Sequence, residues 1–224
     1  EGSVMKRKPH GAVHHIPRPT AGRRARRQAE TRARILRAAL DLFAQQGYSS
    51  TTVEQITDAA DVGKGTFFNY FPSKEHVMAG FGEMQRAKVE QALFEGARAG
   101  WSTRQTWRHL THELAREPGN SPSLVRGLLI ANLSSDFVCG HMQRNLALGR
   151  EILAQLIASG QQRGELRSGL DPSEVARLFQ QMFLGAMLFW ALDSSSELAE
   201  WLDKAFDLFW SAVAAPAAPP EVRL

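Results

Sequence analysis

Apolar residues recur at helical spacing along most of the chain, and nowhere do they alternate over a length that suits a strand. Ile35, Leu36, Ala39, Leu40, Leu42 and Phe43 make one face of a first helix, about Arg24–Gln46, which Gly47 ends. Thr51-Thr52-Val53-Glu54 reads as a capping box, with Thr51 as N-cap and Glu54 as its N3 partner. It opens a short second helix ending near Ala60. A turn at Asp61-Val62-Gly63 leads into a third short helix, about Lys64–Phe71. Pro72-Ser73 breaks that helix, and Ser73 caps a long fourth one, roughly Lys74–Ala97. Five more helices are predicted near 103–116, 122–137, 141–163, 172–192 and 197–213. The breaks between them are Pro118-Gly119-Asn120, Gly140, the stretch from Gly164 to Pro172, and Asp193–Ser196. The fold class is therefore all-α, about nine helices, with a small three-helix head before a larger helical bundle. The expected division is a disordered basic arm at 1–22, a head at 23–74, a body at 75–214 and a disordered tail at 215–224.

Charge sharpens that division. Of 224 residues, the first 74 carry 13 Lys and Arg against 6 Asp and Glu, a net +7. The remainder carries 14 against 17, a net −3. A basic head on a mildly acidic body suits a head that meets an anion. Cys139 is the single cysteine, which excludes an internal disulfide and fits a reducing cytoplasm. No apolar stretch follows Lys6-Arg7-Lys8, so no secretory signal is read, and the longest uncharged apolar run, near Met182–Leu192, is short for a bilayer span. A soluble cytoplasmic protein with no membrane partner is expected.

The segment Val53–Phe71 has the layout of a helix-turn-helix: a short helix, a tight turn and a second short helix, packed through Val53, Ile56, Ala60, Val62 and Phe67. Phe67 and Phe71 lie one turn apart and face inward. Lys64, Gly65, Phe68 and Asn69 then face outward near the start of the helix, where a recognition helix meets base edges. Lys donates to guanine, Asn pairs with adenine, and Gly65 permits close approach of the backbone. Arg27, Thr31 and Arg34 share a face of the first helix, which suits a helix crossing the DNA backbone. Arg18, Arg23, Arg24, Arg26 and Arg27 form an arm that either lies along phosphates or is simply solvated.

Thr51-Thr52-Val53-Glu54-Gln55-Ile56, followed by Lys64-Gly65-Thr66-Phe67-Phe68-Asn69-Tyr70-Phe71-Pro72-Ser73-Lys74-Glu75, resembles the signature of the tetracycline-repressor (TetR) family. The resemblance is dense over about Ile35–Glu75. It implies base contacts from Lys64, Gly65, Thr66 and Asn69, and phosphate contacts from Thr52, Tyr70 and Lys74. Two departures bear on base preference rather than docking. Asp61-Val62-Gly63 stands where the family often has Gly-Val-Ser, so the serine cap is missing. Phe68 stands where a Tyr hydroxyl often reaches phosphate, and is left to meet a backbone sugar or, instead, a thymine methyl in the groove.

In the body, the helix at 172–192 is apolar nearly all round in its second half, so it is buried on more than one side. The last helix has one apolar stripe at Leu198, Leu202, Ala205 and Phe209 and another at Trp201, Leu208 and Ala212, with Phe206 between. These two helices are expected to pair two chains in a four-helix bundle, with Phe179, Phe189, Trp201 and Leu208 at the interface. A homodimer would place two recognition helices on an inverted-repeat operator in double-stranded DNA. Trp107, His112, Leu128, Phe137, Met142, Met182, Phe183, Met187 and Trp190 are candidates to line an effector pocket, with His109, Asn132, Asp136 and Gln180 as further polar groups. The expected function is a ligand-responsive transcriptional regulator, a repressor released from DNA by a small apolar or amphipathic effector. The alternatives are a helical carrier or interaction protein with a basic head, and an architectural DNA binder without a ligand. No enzyme, cofactor or metal is expected. Gly63-Lys64-Gly65-Thr66 lacks the earlier glycine and the Ser/Thr directly after Lys that a phosphate loop needs, and no Cys or further His completes a site with His109 and His112.

Overall fold

The computed structural model describes residues 21–216; the arm at 1–20, including Arg18, and the tail at 217–224 lie outside the described residues. The elements run α1 (Ala21–Gln46), α2 (Val53–Ala59), α3 (Lys64–Tyr70), α4 (Lys74–Ala99), α5 (Thr103–Ala115), a 3₁₀ turn (Pro118–Asn120), α6 (Pro122–Ser134), α7 (Asp136–Gln162), α8 (Pro172–Leu192) and α9 (Leu198–Val213). The one β pairing among the described residues is an isolated bridge between Leu166 and Ala214. Arg23, Arg24, Arg26 and Arg27 belong to the first turns of α1 and not to an extended arm.

Two boundaries differ from the sequence reading. The capping box is shifted by one residue. Thr52 is the N-cap of α2: its hydroxyl accepts from the Gln55 amide at 3.2 Å, and Gln55 Oε1 accepts from the Thr52 amide at 2.9 Å. Thr51-x-x-Glu54 and Thr52-x-x-Gln55 have the same spacing. Thr51 is taken out of contention by burial, where its hydroxyl donates to Gly47 O at 2.8 Å. The second difference is the start of α7. The break falls at Ser135, in extended conformation with its hydroxyl accepting from the Val138 amide, and Gly140 sits inside the helix. A lone helical glycine costs only about 1 kcal/mol, less than a good cap and a buried stripe return.

The head core is built on α1. Ile35, Leu36, Ala39, Leu40 and Phe43 are buried against Ile56 of α2 and Phe67 of α3. Gly47, at φ +86°, turns the chain out of α1 in a left-handed conformation that favours glycine. This core does not stop at the break at Pro72-Ser73. It includes Val77, Met78 and Phe81 of α4, Leu124 and Ala131 of α6 and Val138 of α7. Cross-links reinforce the join. Arg32 of α1 pairs with Glu83 of α4 at 2.6 Å, and the Ser121 hydroxyl before α6 donates to Ala44 O at 2.8 Å. At Gly127 of α6 a Cβ would lie 2.9 Å from the Cβ of Tyr48, so only glycine permits this approach.

The body core is a second cluster, centred on Trp107, Leu110, Ile157, Phe179, Leu198 and Phe206. α8 is long enough and apolar enough by composition to cross a bilayer, more so than its uninterrupted apolar run suggests. Its inward stripe of Val175, Phe179, Phe183, Met187 and Trp190 instead fills this core. In α9 the buried line is Leu198, Leu202, Phe206 and Val213, which assigns Phe206 to the inner stripe.

Candidate nucleic-acid interface and ligand cavity

The helix-turn-helix is held from behind. Phe67 and Phe71 are buried with ring centroids 6.0 Å apart, and Ile56 and Ala60 meet them from α2. The turn places Asp61 at φ 49°, the one non-glycine residue with positive φ among those described; a short carboxylate side chain tolerates that conformation. With its inner face fixed, α3 presents Lys64, Gly65, Phe68 and Asn69 outward, with Thr66 and Tyr70 half-buried at the margins. Phe68 is 48% exposed, a large apolar cost unless something covers it. A Cβ on Gly65 would meet nothing within 4 Å, so no contact inside the chain requires glycine there. Gly63, the N-cap of α3, contributes no side-chain cap bond.

Electrostatics on this face are mixed. The Lys64 ammonium sits 2.6 Å from the Glu54 carboxylate, both well exposed. That hydrogen bond, with smaller help from a backbone amide and the lysine charge, holds Glu54 below the usual carboxylate range. Such exposed pairs are weak and exchange readily for a phosphate or a base edge. Thr52 is exposed, and its oxygen is already accepting, which leaves the hydroxyl hydrogen to point outward. Arg27 is exposed on α1.

Lys74 differs from the expected free phosphate contact. Its ammonium donates to Tyr48 O at 2.7 Å and Thr51 O at 3.0 Å, and lies 4.3 Å from the centre of the Tyr48 ring. Burial pulls its pKa down. Lys74 therefore ties the start of α4 to the loop before α2. Tyr48 completes the tie: its hydroxyl donates to Glu75 Oε1 at 3.4 Å, and burial first, then the Glu75 charge, pushes it up to about 12. Sequence reasoning missed Tyr48 as a junction because its partners lie 26 or more residues away.

In the body, α4 through α8 line an open-mouthed cavity of about 600 Å³ with an almost wholly apolar wall. Of the nine predicted lining residues, Leu128, Met142, Phe183 and Met187 are on the wall. The other five stand elsewhere. Trp107 is fully buried in an aromatic cluster with Phe179 and Phe209, at 5.0 and 5.4 Å. Trp190 is buried with its indole N–H on Ser196 O at 2.8 Å. His112 faces Asp203 at 3.0 Å, beside a separate cavity of about 220 Å³. Phe137 lies between the rings of His76 and His141, each centroid 4.1 Å away. Met182 packs partly buried against the body core. Of the polar candidates, Asn132 and Gln180 line the cavity, whereas His109 pairs with Glu95 at 3.0 Å and Asp136 is exposed at the start of α7. The contribution of α4 was missed, although the consecutive apolar run Val77–Phe81 signals a helix buried on more than one side.

The outer faces of α8 and α9 carry Leu178, Phe189, Leu192 and Leu208, exposed by 53, 62, 69 and 74%. Phe189 and Leu208 thus stay out of the chain's own core. Trp201 is half-buried, its N–H on Ser196 Oγ at 2.9 Å. Phe179 does not share that face: it is sealed inside the protomer by Trp107, Phe183 and Phe209 and leaves the predicted interface set.

Residues 35–80 match the family model described as bacterial regulatory proteins, tetR family. The HTH-type transcriptional repressor KstR of Mycobacterium tuberculosis is 25% identical over 183 residues, 81% of each chain. The HTH-type transcriptional regulator TcmR of Streptomyces glaucescens is 52% identical over 56 residues, a quarter of each chain. The whole fold superposes on Thermus thermophilus FadR, a TetR-family transcriptional repressor solved with lauroyl-CoA, at a TM-score of 0.61 and 28% identity, covering 84% of this chain and 97% of that one. The similarity to the TetR family of DNA-binding transcriptional regulators is dense over residues 35–80, where α3 is displayed, and thinner through the bundle behind it.

Proposed function

We propose that the protein is a homodimeric, cytoplasmic repressor that grips an inverted-repeat operator and lets go when a small apolar or amphipathic molecule fills the cavity. Residues 23–74 form the DNA-binding unit and 75–214 the ligand-binding and dimerisation unit. Lys64, Gly65, Thr66 and Asn69 read bases; Arg27, Thr52, Phe68 and Tyr70 lie along the backbone, and Lys74 holds the loop that orients them. Phe189, Leu208 and Trp201 join the two chains. The chemistry is binding, with no turnover.

One observation carries this reading: α4 walls the cavity through Met78, Phe81, Gln85 and Val89, and its first residue, Lys74, one turn before Met78, fastens it to the loop before the recognition unit. A ligand that displaces α4 must therefore move the head. DNA favours one separation of the two heads and the ligand another, so the two compete through a coupling free energy of about 1–3 kcal/mol. Repression by KstR and the lauroyl-CoA bound to FadR support both halves of the reading.

The test is selection of a preferred duplex from a random pool by the full chain. An inverted repeat bound by two chains, with affinity that falls steeply with salt, is expected. Equal binding to scrambled duplexes would leave a basic-headed interaction protein or an architectural binder instead.

A further inference from the structure

Apart from Arg86, the polar side chains on the apolar cavity wall are neutral amides, one from each of four helices: Gln85 on α4, Asn132 on α6, Asn145 on α7 and Gln180 on α8. Gln180 is satisfied at both ends, donating to Leu146 O at 2.8 Å and accepting from Arg150 Nε at 3.3 Å. Gln85 and Asn132 are each half satisfied. Gln85 Nε2 donates to Leu114 O at 2.7 Å, and Asn132 Nδ2 donates to Leu128 O at 2.8 Å. Their oxygens, Gln85 Oε1 and Asn132 Oδ1, are buried without a donor among the described residues. Neither amide can be turned over to relieve this, because the flip would set oxygen against a carbonyl oxygen. Two acceptors closed into an apolar wall are costly, and Leu or Met would fill the same space without the cost.

The charge inventory of the wall is as selective. No lining residue is acidic, and the one cation, Arg86, is bound to Glu90. An anionic group set against Gln85 Oε1 or Asn132 Oδ1 would meet a lone-pair acceptor and lose hydration, and the wall's one cation, Arg86, would have to leave Glu90 to offset it.

We propose that the buried part of the effector is uncharged and carries an O–H or N–H donor that meets Gln85 Oε1 or Asn132 Oδ1. This rests on the reading of the cavity as the effector chamber and narrows its ligand to apolar alcohols, phenols or amides. A carboxylate or phosphate, if the molecule has one, stays outside the wall.

Fluorescence titration of the full chain with hydroxypyrene, methoxypyrene and pyrenecarboxylate separates the claims. Hydroxypyrene is expected to bind about tenfold more tightly than the other two, the worth of one good hydrogen bond. In Asn132→Leu or Gln85→Met, whichever melts as cooperatively as the parent, that preference over methoxypyrene should fall to near unity while methoxypyrene binding persists. Equal binding of the hydroxyl and methoxy compounds, or a preference that survives both substitutions, overturns the donor requirement and leaves the chamber standing. Tightest binding by the carboxylate overturns the uncharged class. Binding of none of the three overturns the chamber itself.

Discussion

Asn69 and Lys74 both look like DNA contacts in sequence, and the structure separates them. Asn69 is exposed on α3 with its amide free to reach a base edge, whereas two N–H groups of Lys74 are spent on backbone carbonyls. Asn69→Ala should compress affinity differences among single-base operator variants by about 1–3 kcal/mol at one position, read in competition binding. Lys74→Ala should instead lower the melting temperature of the free protein and weaken all duplexes alike, with little change in the salt slope; a slope reduced by about one would return Lys74 to the phosphate contacts. The outward face of α3 was legible because period and breakers settle it. Lys74 was not, because nothing local marks a side chain that caps carbonyls 23 and 26 residues back. Tyr48 gives a pH test of the same junction. Its folded pKa, about 12, exceeds the ordinary tyrosine value of 10.0, so the folded state holds the proton more tightly. The stabilisation is whole below pH 10 and is lost as pH rises through about 12. Chemical denaturation from pH 9 to about 12 should show this loss, and Tyr48→Phe should flatten it while keeping the ring on Lys74.

At the scale of elements, helices were readable and their joints less so. The amphipathic stripe of α1 and the starts of α5, α6 and α8 rest on local signals, and each lies where the sequence put it to within a few residues. The start of α2 was misread by one residue because two capping boxes overlap and only burial of Thr51 chooses between them. α6 carried no visible sign of its double duty. Leu124, Gly127 and Ala131 face α1 and its loop, while Val125, Leu128 and Asn132 face the cavity, so one helix touches both ligand chamber and head. Gly127 is the closest point. A methyl group there meets the Tyr48 Cβ, an atom near the backbone that cannot swing away. Gly127→Ala should therefore destabilise the protein by about 1–3 kcal/mol, seen in thermal unfolding, because overpacking outweighs the gain in helix propensity. The same substitution at Gly65, where a Cβ meets nothing, should leave stability equal or higher and act on DNA binding alone.

The whole molecule raises the question of what the greasy outer faces are for. Phe189 and Leu208 expose more than half their surface, on helices whose inner faces already fill a complete core. The sequence showed two stripes on α9 but misplaced Phe179, because a stripe buried by the chain's own α5 and a stripe buried by a second chain have the same periodicity. The structure breaks that tie by sealing one stripe and leaving the other in solvent. A two-fold pairing through this face would hold both copies of α3 at a fixed separation, so that half-site contacts act together instead of singly. Phe189→Glu with Leu208→Glu makes the claim testable, since both side chains are exposed within one chain and neither charge disturbs its core. Light scattering should then give the mass of one chain with the helical spectrum intact. Operator affinity should fall by about a hundredfold or more, the loss that follows when a second site no longer binds at high effective concentration. A doubly substituted protein that keeps the mass of two chains would place the interface on another surface and leave these residues without that role.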